Sequence, residues 1–339
     1  MRVGLIGAGL QGRRRAPVLH DCPDTELAVI GAASRETARA LARRYPGCDA
    51  VEGWEPVVER AGLDAVIVCT PPHLHAEISI AALERGMHVL CEKPLARTLA
   101  EAEAMAQTAE RTGLVLKCGF NHRHHPALQQ ARRWFDDGLI GEPVFLRCRY
   151  GIGGRPGYER EWRADPEIVG GGQLMEQGIH AVDLARWFLG DFSEVTALLS
   201  TGFWDIGPLE DNAFALYRSE SGAIASIHSS LTQWRNLFSF ELSGRDGYIA
   251  VNGLGGGYGS ERATLGRRDF SAPFSEQTVE FRGDDRSWRD EWSEFTAAVR
   301  EGHLPLGDHR DGLEAMRLVF AAYEAARQGK ALCLQASVA

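Results

Sequence analysis

The chain has 339 residues, 44% of them hydrophobic and 24% charged, the composition of an ordinary globular protein long enough for two domains. A formal net charge of -9 argues against nucleic acid or an anionic membrane as partner, and no apolar run is long enough to span a bilayer. Seven scattered cysteines without a C-x-x-C pair exclude a disulfide framework and a cysteine zinc site. A strand pattern starting within "MRVGLIGAGLQG" leaves no room for a secretory signal, so a cytoplasmic protein is expected.

In chain order, "RVGLI", "TELAVIGAAS", "LDAVIVCT", "MHVLCE" and "GLVLKCGF" are short apolar runs. Between them lie the amphipathic stretches "RETARALARRY", "HAEISIAALERG" and "TLAEAEAMAQTAERTG". Apolar strands alternating with helices predict a parallel sheet covered on both faces. Gly86 and Gly113 stand where left-handed helix ends are wanted, and Thr98 with Glu101 forms a capping-box pattern. After about residue 140 the runs "EPVFLRCRYG", "SEVTALLST", "DNAFALYRS", "GAIASIHSSLTQ", "LFSFELSGRDG" and "GYIAVNG" follow one another through Gly, Ser and Asp turns. They predict an antiparallel sheet. The expected fold is an α/β Rossmann-type domain over residues 1–121, then an α+β domain over 122–339 with a large, mostly antiparallel open sheet. A closing helix over 310–329 is expected to pack near the domain junction.

Gly7, Gly9 and Gly12 form G-x-G-x-x-G directly after the first strand. The first glycine permits a tight turn, the second a close approach to a diphosphate, the third close packing of the next helix. With Leu10 and Gln11 between the glycines, the helix N-terminus faces the diphosphate. The second strand ends in Ala33, Ser34 and Arg35, without the carboxylate that selects NAD. A serine hydroxyl and the guanidinium groups of Arg35 and Arg39 suit a 2′-phosphate, which favours NADP over NAD. Glu36 is the competing reading, as an NAD ribose ligand. Arg13, Arg14 and Arg15 are taken as a solvated run.

Loops at the carboxyl ends of parallel strands bind ligands. Thr70 and Pro71 lie in one, followed by His73 and His75; Glu92 and Lys93 lie in the next. A lysine in a partly dry cleft can hold a reacting hydroxyl. "NHRHHP" contributes Asn121 and Arg123 as cleft-lining candidates for substrate; its histidines have no common metal spacing, and no metal is expected. In "GGGQLMEQGIHAVDLARWFLG", Glu176, His180 and Asp183 stand at i, i+4 and i+7 and share one face of a regular helix. A histidine one turn from a carboxylate suits a general base. Trp204 and Trp234 offer aromatic faces to a polyhydroxylated ring.

Together "GLIGAGLQG", "VCTPPHLHAEIS", "AALERGMHVLCEKPLA", "GFNHRHHPAL", "GLIGEP", "GGGQLMEQGIHAVDLARWFLGD" and "EDNAFAL" resemble the glucose–fructose oxidoreductase, inositol dehydrogenase and rhizopine-catabolism family, Gfo/Idh/MocA. The resemblance implies NAD(P)-linked oxidation of a secondary alcohol of a sugar or cyclitol, or the reverse reduction. It implies oligomers, a homodimer or homotetramer, through the open sheet. The family's EKP lysine falls on Lys93 and its histidine on His180. Its usual aspartate is here Glu176, a departure of one methylene. Lys93, Glu176 and His180 are thus the expected catalytic residues, and all three are expected to touch substrate. His75 falls on the family's helix-start histidine, with a cofactor contact expected beside a mainly structural role. Trp162 and Arg163 resemble a pair that touches the nicotinamide end of the cofactor, and Arg163 is also a substrate candidate. The expected partner is a small polyhydroxylated molecule. A redox-assisted glycosidase and a non-catalytic sensor of the same fold remain alternatives on sequence alone.

Overall fold

The computed structural model describes residues 1–270 and 275–334. The chain divides into two compact units, Met1–Asn121 with Trp288–Leu313, and His122–Ser287 with the chain from Glu314 onward.

In the first unit the strands are β1 (Arg2–Ile6), β2 (Glu26–Ala32), β3 (Asp49–Glu52), β4 (Ala65–Val68), β5 (His88–Cys91) and β6 (Leu116–Cys118). They form one parallel sheet in the order 3-2-1-4-5-6, the doubly wound order of dinucleotide-binding domains. The helices are α1 (Leu10–Asp21), α2 (Arg35–Ala42), the single turn α3 (Glu55–Val58), α4 (His75–Glu84) and α5 (Leu99–Thr112). The expected capping box is formed, with Glu101 N–H donating to Thr98 Oγ1 and Thr98 N–H to the Glu101 carboxylate. Gly86 and Gly113 take positive φ where those helices end. Strand β3, "DAVE", escapes a pattern search because it carries no buried apolar run. A later helix, α9 (Ser287–Glu301), returns to this unit, and its Trp292 and Phe295 share a core with Leu5, Ile30, Ile67 and Leu90. Cys91 and Cys118 are buried in the core of this unit and Cys69 is partly exposed.

The second unit holds α6 (Pro126–Asp136), β7 (Pro143–Gly151), the turn α7 (Pro166–Val169), α8 (Ile179–Leu189) and the strands β8 (Phe192–Ser200), β9 (Asn212–Ser219), β10 (Ile224–Ser230), β11 (Leu237–Gly244), β12 (Gly247–Asn252), β13 (Glu261–Arg267), β14 (Ser275–Phe281) and β15 (Leu332–Cys333). The described strands make a nine-stranded sheet in the order 14-13-12-11-7-10-9-8-15. Every neighbouring pair is antiparallel except β7 with β10, which is parallel, so the sheet is mostly antiparallel as expected. Strand β14 went unread because almost all of its side chains face solvent. Register places Leu198, Phe214 and His228 in one row on one face, where Leu198 and Phe214 are exposed and Phe214 stacks on His228. The closing helix α10 is His309–Gln328; the division between units falls within it, after Leu313.

Candidate functional site

The glycine loop is held by its own geometry at two of three positions. Gly7 has φ +106, and a Cβ there would lie 2.5 Å from the Cys69 carbonyl oxygen. A Cβ on Gly12 would sit 1.9 Å from the Gly7 carbonyl oxygen, so α1 packs this close to β1 only with glycine. Gly9 differs: its backbone is extended and a Cβ would meet nothing within 4 Å. Nothing inside the protein requires glycine there, which fits a loop that a ligand approaches closely. Leu10 is exposed at the start of α1, and the first turn carries no acidic residue, leaving the helix end suited to a diphosphate. Gln11 Oε1, Thr70 Oγ1 and His73 Nδ1 are buried without hydrogen-bond partners. All three lie in the segments that follow β1 and β4, at the ligand-binding end of such a sheet. These residues fit a dinucleotide.

At the tip of β2, Ser34 is the N-cap of α2 and accepts from Thr37 N–H at 3.2 Å. Its hydroxyl thus has a local structural task beside any contact with ribose. Arg35, Glu36 and Arg39 are all exposed.

Arg15 does not belong to a solvated run. It is 1% exposed, donates to Glu92 at 2.9 Å and to Glu291 at 2.5 Å, and lies over the Trp288 ring. Burial works against its charge, but the two carboxylates outweigh it and hold its proton above the ordinary arginine range. Arg13 and Arg14 are exposed as expected. Glu92, expected at the cofactor, is instead 4% exposed and committed to Arg15. Its neighbour Lys93 is half-buried, and the Lys93–Pro94 bond is cis. His75 is 1% exposed; one ring nitrogen faces the Pro94 carbonyl at 2.9 Å and the other the Thr70 carbonyl at 2.8 Å. It brackets the two strand-end loops, so its ring nitrogens serve the fold rather than the expected cofactor contact. Pro71, in the loop after β4, is the residue before the short turn Pro72–Leu74.

In the second unit the glycine triplet is required by packing. Gly170 ends α7 with φ +73. A Cβ on Gly171 would lie 2.6 Å from the Tyr323 hydroxyl, and one on Gly172 2.3 Å from the Glu210 carboxylate. Glu210 accepts from the amides of Gly172 and Leu174 and from the Tyr323 hydroxyl, and Tyr323 accepts from Met175 N–H. Burial pushes the Glu210 carboxyl above the ordinary range, against those donors. This anionic bracket fixes the start of the helical segment. Sequence reasoning noted "EDNAFAL" only for its resemblance and found neither Glu210 nor Tyr323.

That segment is not a regular helix from its start. Leu174–Gly178 is a π turn, and the α-helix α8 begins at Ile179. The wider turn breaks the 3.6-residue spacing on which a common face rests. Tyr158 Oη donates to Glu176 Oε2 at 2.7 Å, and Arg163 Nε donates to Glu176 Oε1 at 2.9 Å. His180, 4% exposed, stacks on His122 with ring centroids 3.7 Å apart. Asp183 pairs bidentately with Arg123 at 2.6 and 2.9 Å, both nearly fully buried. One expectation is therefore corrected: Arg123 is an internal ion-pair partner of Asp183 rather than a substrate contact. His125 goes elsewhere, to Glu261 at 3.1 Å. Asn121 is 4% exposed, the last residue of the first unit. No cluster of three metal-ligating side chains occurs among the described residues.

The aromatic candidates separate by exposure. Trp162 is 37% exposed beneath the Arg163 guanidinium, which lies 4.3 Å from its ring centroid. Trp204 uses its indole N–H on the Leu231 carbonyl at 3.0 Å. Phe203 packs edge-on between Trp204 and Trp234, and Trp234 is 67% exposed. Asp211 pins this loop, accepting from the amides of Gly202, Phe203 and Trp204 at 2.8–3.0 Å. Burial opposes its charge, yet the donors win and its carboxyl is held below the ordinary range.

Residues 1–120 match the model of an oxidoreductase family with an NAD-binding Rossmann fold, and residues 128–250 match the GFO/IDH/MocA C-terminal domain. A levoglucosan dehydrogenase of Pseudarthrobacter phenanthrenivorans is 32% identical over 286 residues, 74% of this chain and 73% of that one. A D-xylose 1-dehydrogenase (NADP(+)) of Haloferax volcanii is 29% identical over 98% of this chain and 99% of its own. A solved levoglucosan dehydrogenase in complex with NADH superposes with a TM-score of 0.90 at 27% identity, covering 99% of both chains.

Proposed function

The chain belongs to the GFO/IDH/MocA oxidoreductase family, and from that premise we propose an enzyme that moves hydride between a nicotinamide cofactor and a secondary alcohol or ketone carbon of a sugar or cyclitol. The observation that carries this is the cradle in the first unit. Gly9 opens onto empty space, while Gln11, Thr70 and His73 present buried polar atoms without partners.

A bound nicotinamide supplies the hydride acceptor or donor; the protein positions and polarises. Lys93 holds the substrate oxygen and stabilises its developing negative charge. His180 takes the hydroxyl proton in oxidation and returns it in reduction. Glu176 favours the imidazolium that forms. Trp162 and Arg163 serve the nicotinamide end of the cofactor, Trp204 and Trp234 the substrate. Asn121, in the loop after β6, is retained as a substrate candidate.

We favour NADP over NAD. The tip of β2 bears no carboxylate, and Arg35 and Arg39 are exposed there with guanidinium groups suited to a phosphate. Leu198 and Phe214 on the open sheet support a homodimer or homotetramer through that face. The free cysteines agree with a reducing cytoplasm. No described helix is long and apolar enough to cross a membrane. The deciding experiment is a panel of sugars and cyclitols assayed with NAD and NADP in parallel by absorbance of the reduced cofactor. Turnover with at least one alcohol, and about tenfold tighter binding of NADPH than NADH that Arg35→Ala abolishes, are expected. Cofactor binding without turnover on any alcohol would favour a sensor.

A further inference from the structure

Glutamate has one more side-chain torsion than aspartate, and that freedom must be removed before its carboxylate can act at a fixed place. The second unit supplies the restraint from one short segment. Tyr158 and Arg163, five residues apart, take one oxygen each of Glu176 at 2.7 and 2.9 Å. We propose that Tyr158 and Arg163 are positioning residues that hold the longer Glu176 side chain for its work with His180. This inference rests on the oxidoreductase reading above and deepens it.

Both restraining groups are themselves held. Tyr158 is 3% exposed and packs in a small core with Val169, Ile206, Leu209 and Leu231. Burial, then the charge of Glu176, raise its hydroxyl well above the ordinary tyrosine range, so it remains a donor. Arg163 lies over the Trp162 ring and 3.6 Å from Glu161, and Glu161 in turn binds Arg155 at 2.6 Å. The π turn Leu174–Gly178 carries Glu176. An aspartate at this position would fall short of both donors by roughly one carbon–carbon bond, about 1.5 Å. The departure from the family's aspartate therefore comes with partners fitted to the longer side chain.

The test is a double-mutant cycle on the full chain, read as oxidation of levoglucosan, with myo-inositol and D-xylose as alternative alcohols. Tyr158→Phe removes one hydroxyl and leaves the ring in its core. It should lower kcat about tenfold in the wild-type background, with the cofactor Kd unchanged. In Glu176→Asp, where the contact is already out of reach, the same change should cost less than twofold. Equal costs in both backgrounds, or none in either, would overturn the proposal. A second readout needs no turnover: a slowly exchanging downfield proton of the Tyr158 hydroxyl in the NMR spectrum, lost in both Tyr158→Phe and Glu176→Asp. Its persistence in Glu176→Asp would overturn the clamp whatever the kinetics show. Near-normal turnover in Lys93→Ala would instead remove the oxidoreductase reading, and with it the catalytic purpose assigned to the clamp, while leaving the NMR result intact.

Discussion

Two carboxylates stand close in sequence to residues assigned to chemistry, and the protein holds them in opposite ways. Glu92, beside Lys93, is 4% exposed and shares Arg15 with Glu291, itself 0% exposed. Glu176, four residues before His180, keeps 27% of its side chain exposed, and its partner Arg163 keeps 20%. Taking charges fully out of water costs several kcal/mol per ion, and a mutual attraction of good geometry offsets it. The Arg15 cluster thus ties the Glu92 loop to the protein interior. The Glu176 clamp gives up less solvation, contributes less to stability, and leaves its carboxylate within reach of solvent. The same residue types form a sealed ion cluster in one place and a partly solvated clamp in the other.

The contrast breaks first if the neighbours of these carboxylates do no chemistry. Lys93→Ala should lower turnover by about 10²–10³-fold while cofactor affinity stays within a factor of about three, measured by steady-state kinetics and cofactor fluorescence. The next largest effect concerns stability. Arg15→Met strands two buried carboxylates and should cost about 3–5 kcal/mol in denaturant unfolding. Arg163→Met, at a partly exposed pair, should cost under about 1 kcal/mol. Similar costs at the two sites would erase the distinction.

A finer cut uses the glycine loop. Gly12→Ala must displace the Gly7 carbonyl and should destabilise by about 1–3 kcal/mol. Gly9→Ala should leave the unfolding midpoint unchanged and weaken cofactor binding about tenfold or more, because only the ligand needs that space. The smallest effect is a pH slope. Burial lowers the proton affinity of His75 below its ordinary 6.5, despite two carbonyl contacts that favour the charged ring. Below pH 6.5 the unfolded chain takes a proton that the folded ring refuses. The contribution of His75 is therefore full above about pH 6.5 and lost as pH falls towards the folded value. Melting temperature should fall between pH 7.5 and 5.5, and His75→Asn should flatten part of that fall. His88 and His228, also lowered by burial, account for a further part.

Legibility followed the range of the forces involved. The parallel sheet, the capping box on α5 and the strained Gly7 follow from local pattern and backbone sterics, and each was readable. Strands β3 and β14 carry too little buried apolar surface to announce themselves. Arg15, Glu210 and Tyr323 were missed because their partners lie 77 to 276, 36 to 113 and 113 to 148 residues away, and an internal ion pair looks like surface charge in a sequence. The segment from 170 to 190 was read in outline only. Its histidine and glutamate were found, but a helical wheel assumes 3.6 residues per turn, and Glu176 sits in a π turn where its carboxylate meets Tyr158 and Arg163.

The proposed chemistry requires Lys93 and His180 to act on one carbinol. It is tested most directly by two distances in a crystal structure of the enzyme with reduced cofactor and a polyol that it turns over. The account predicts the Lys93 ammonium and a His180 ring nitrogen both within about 3.2 Å of the same hydroxyl oxygen. Either group engaged elsewhere, with that oxygen held by other side chains, would contradict it.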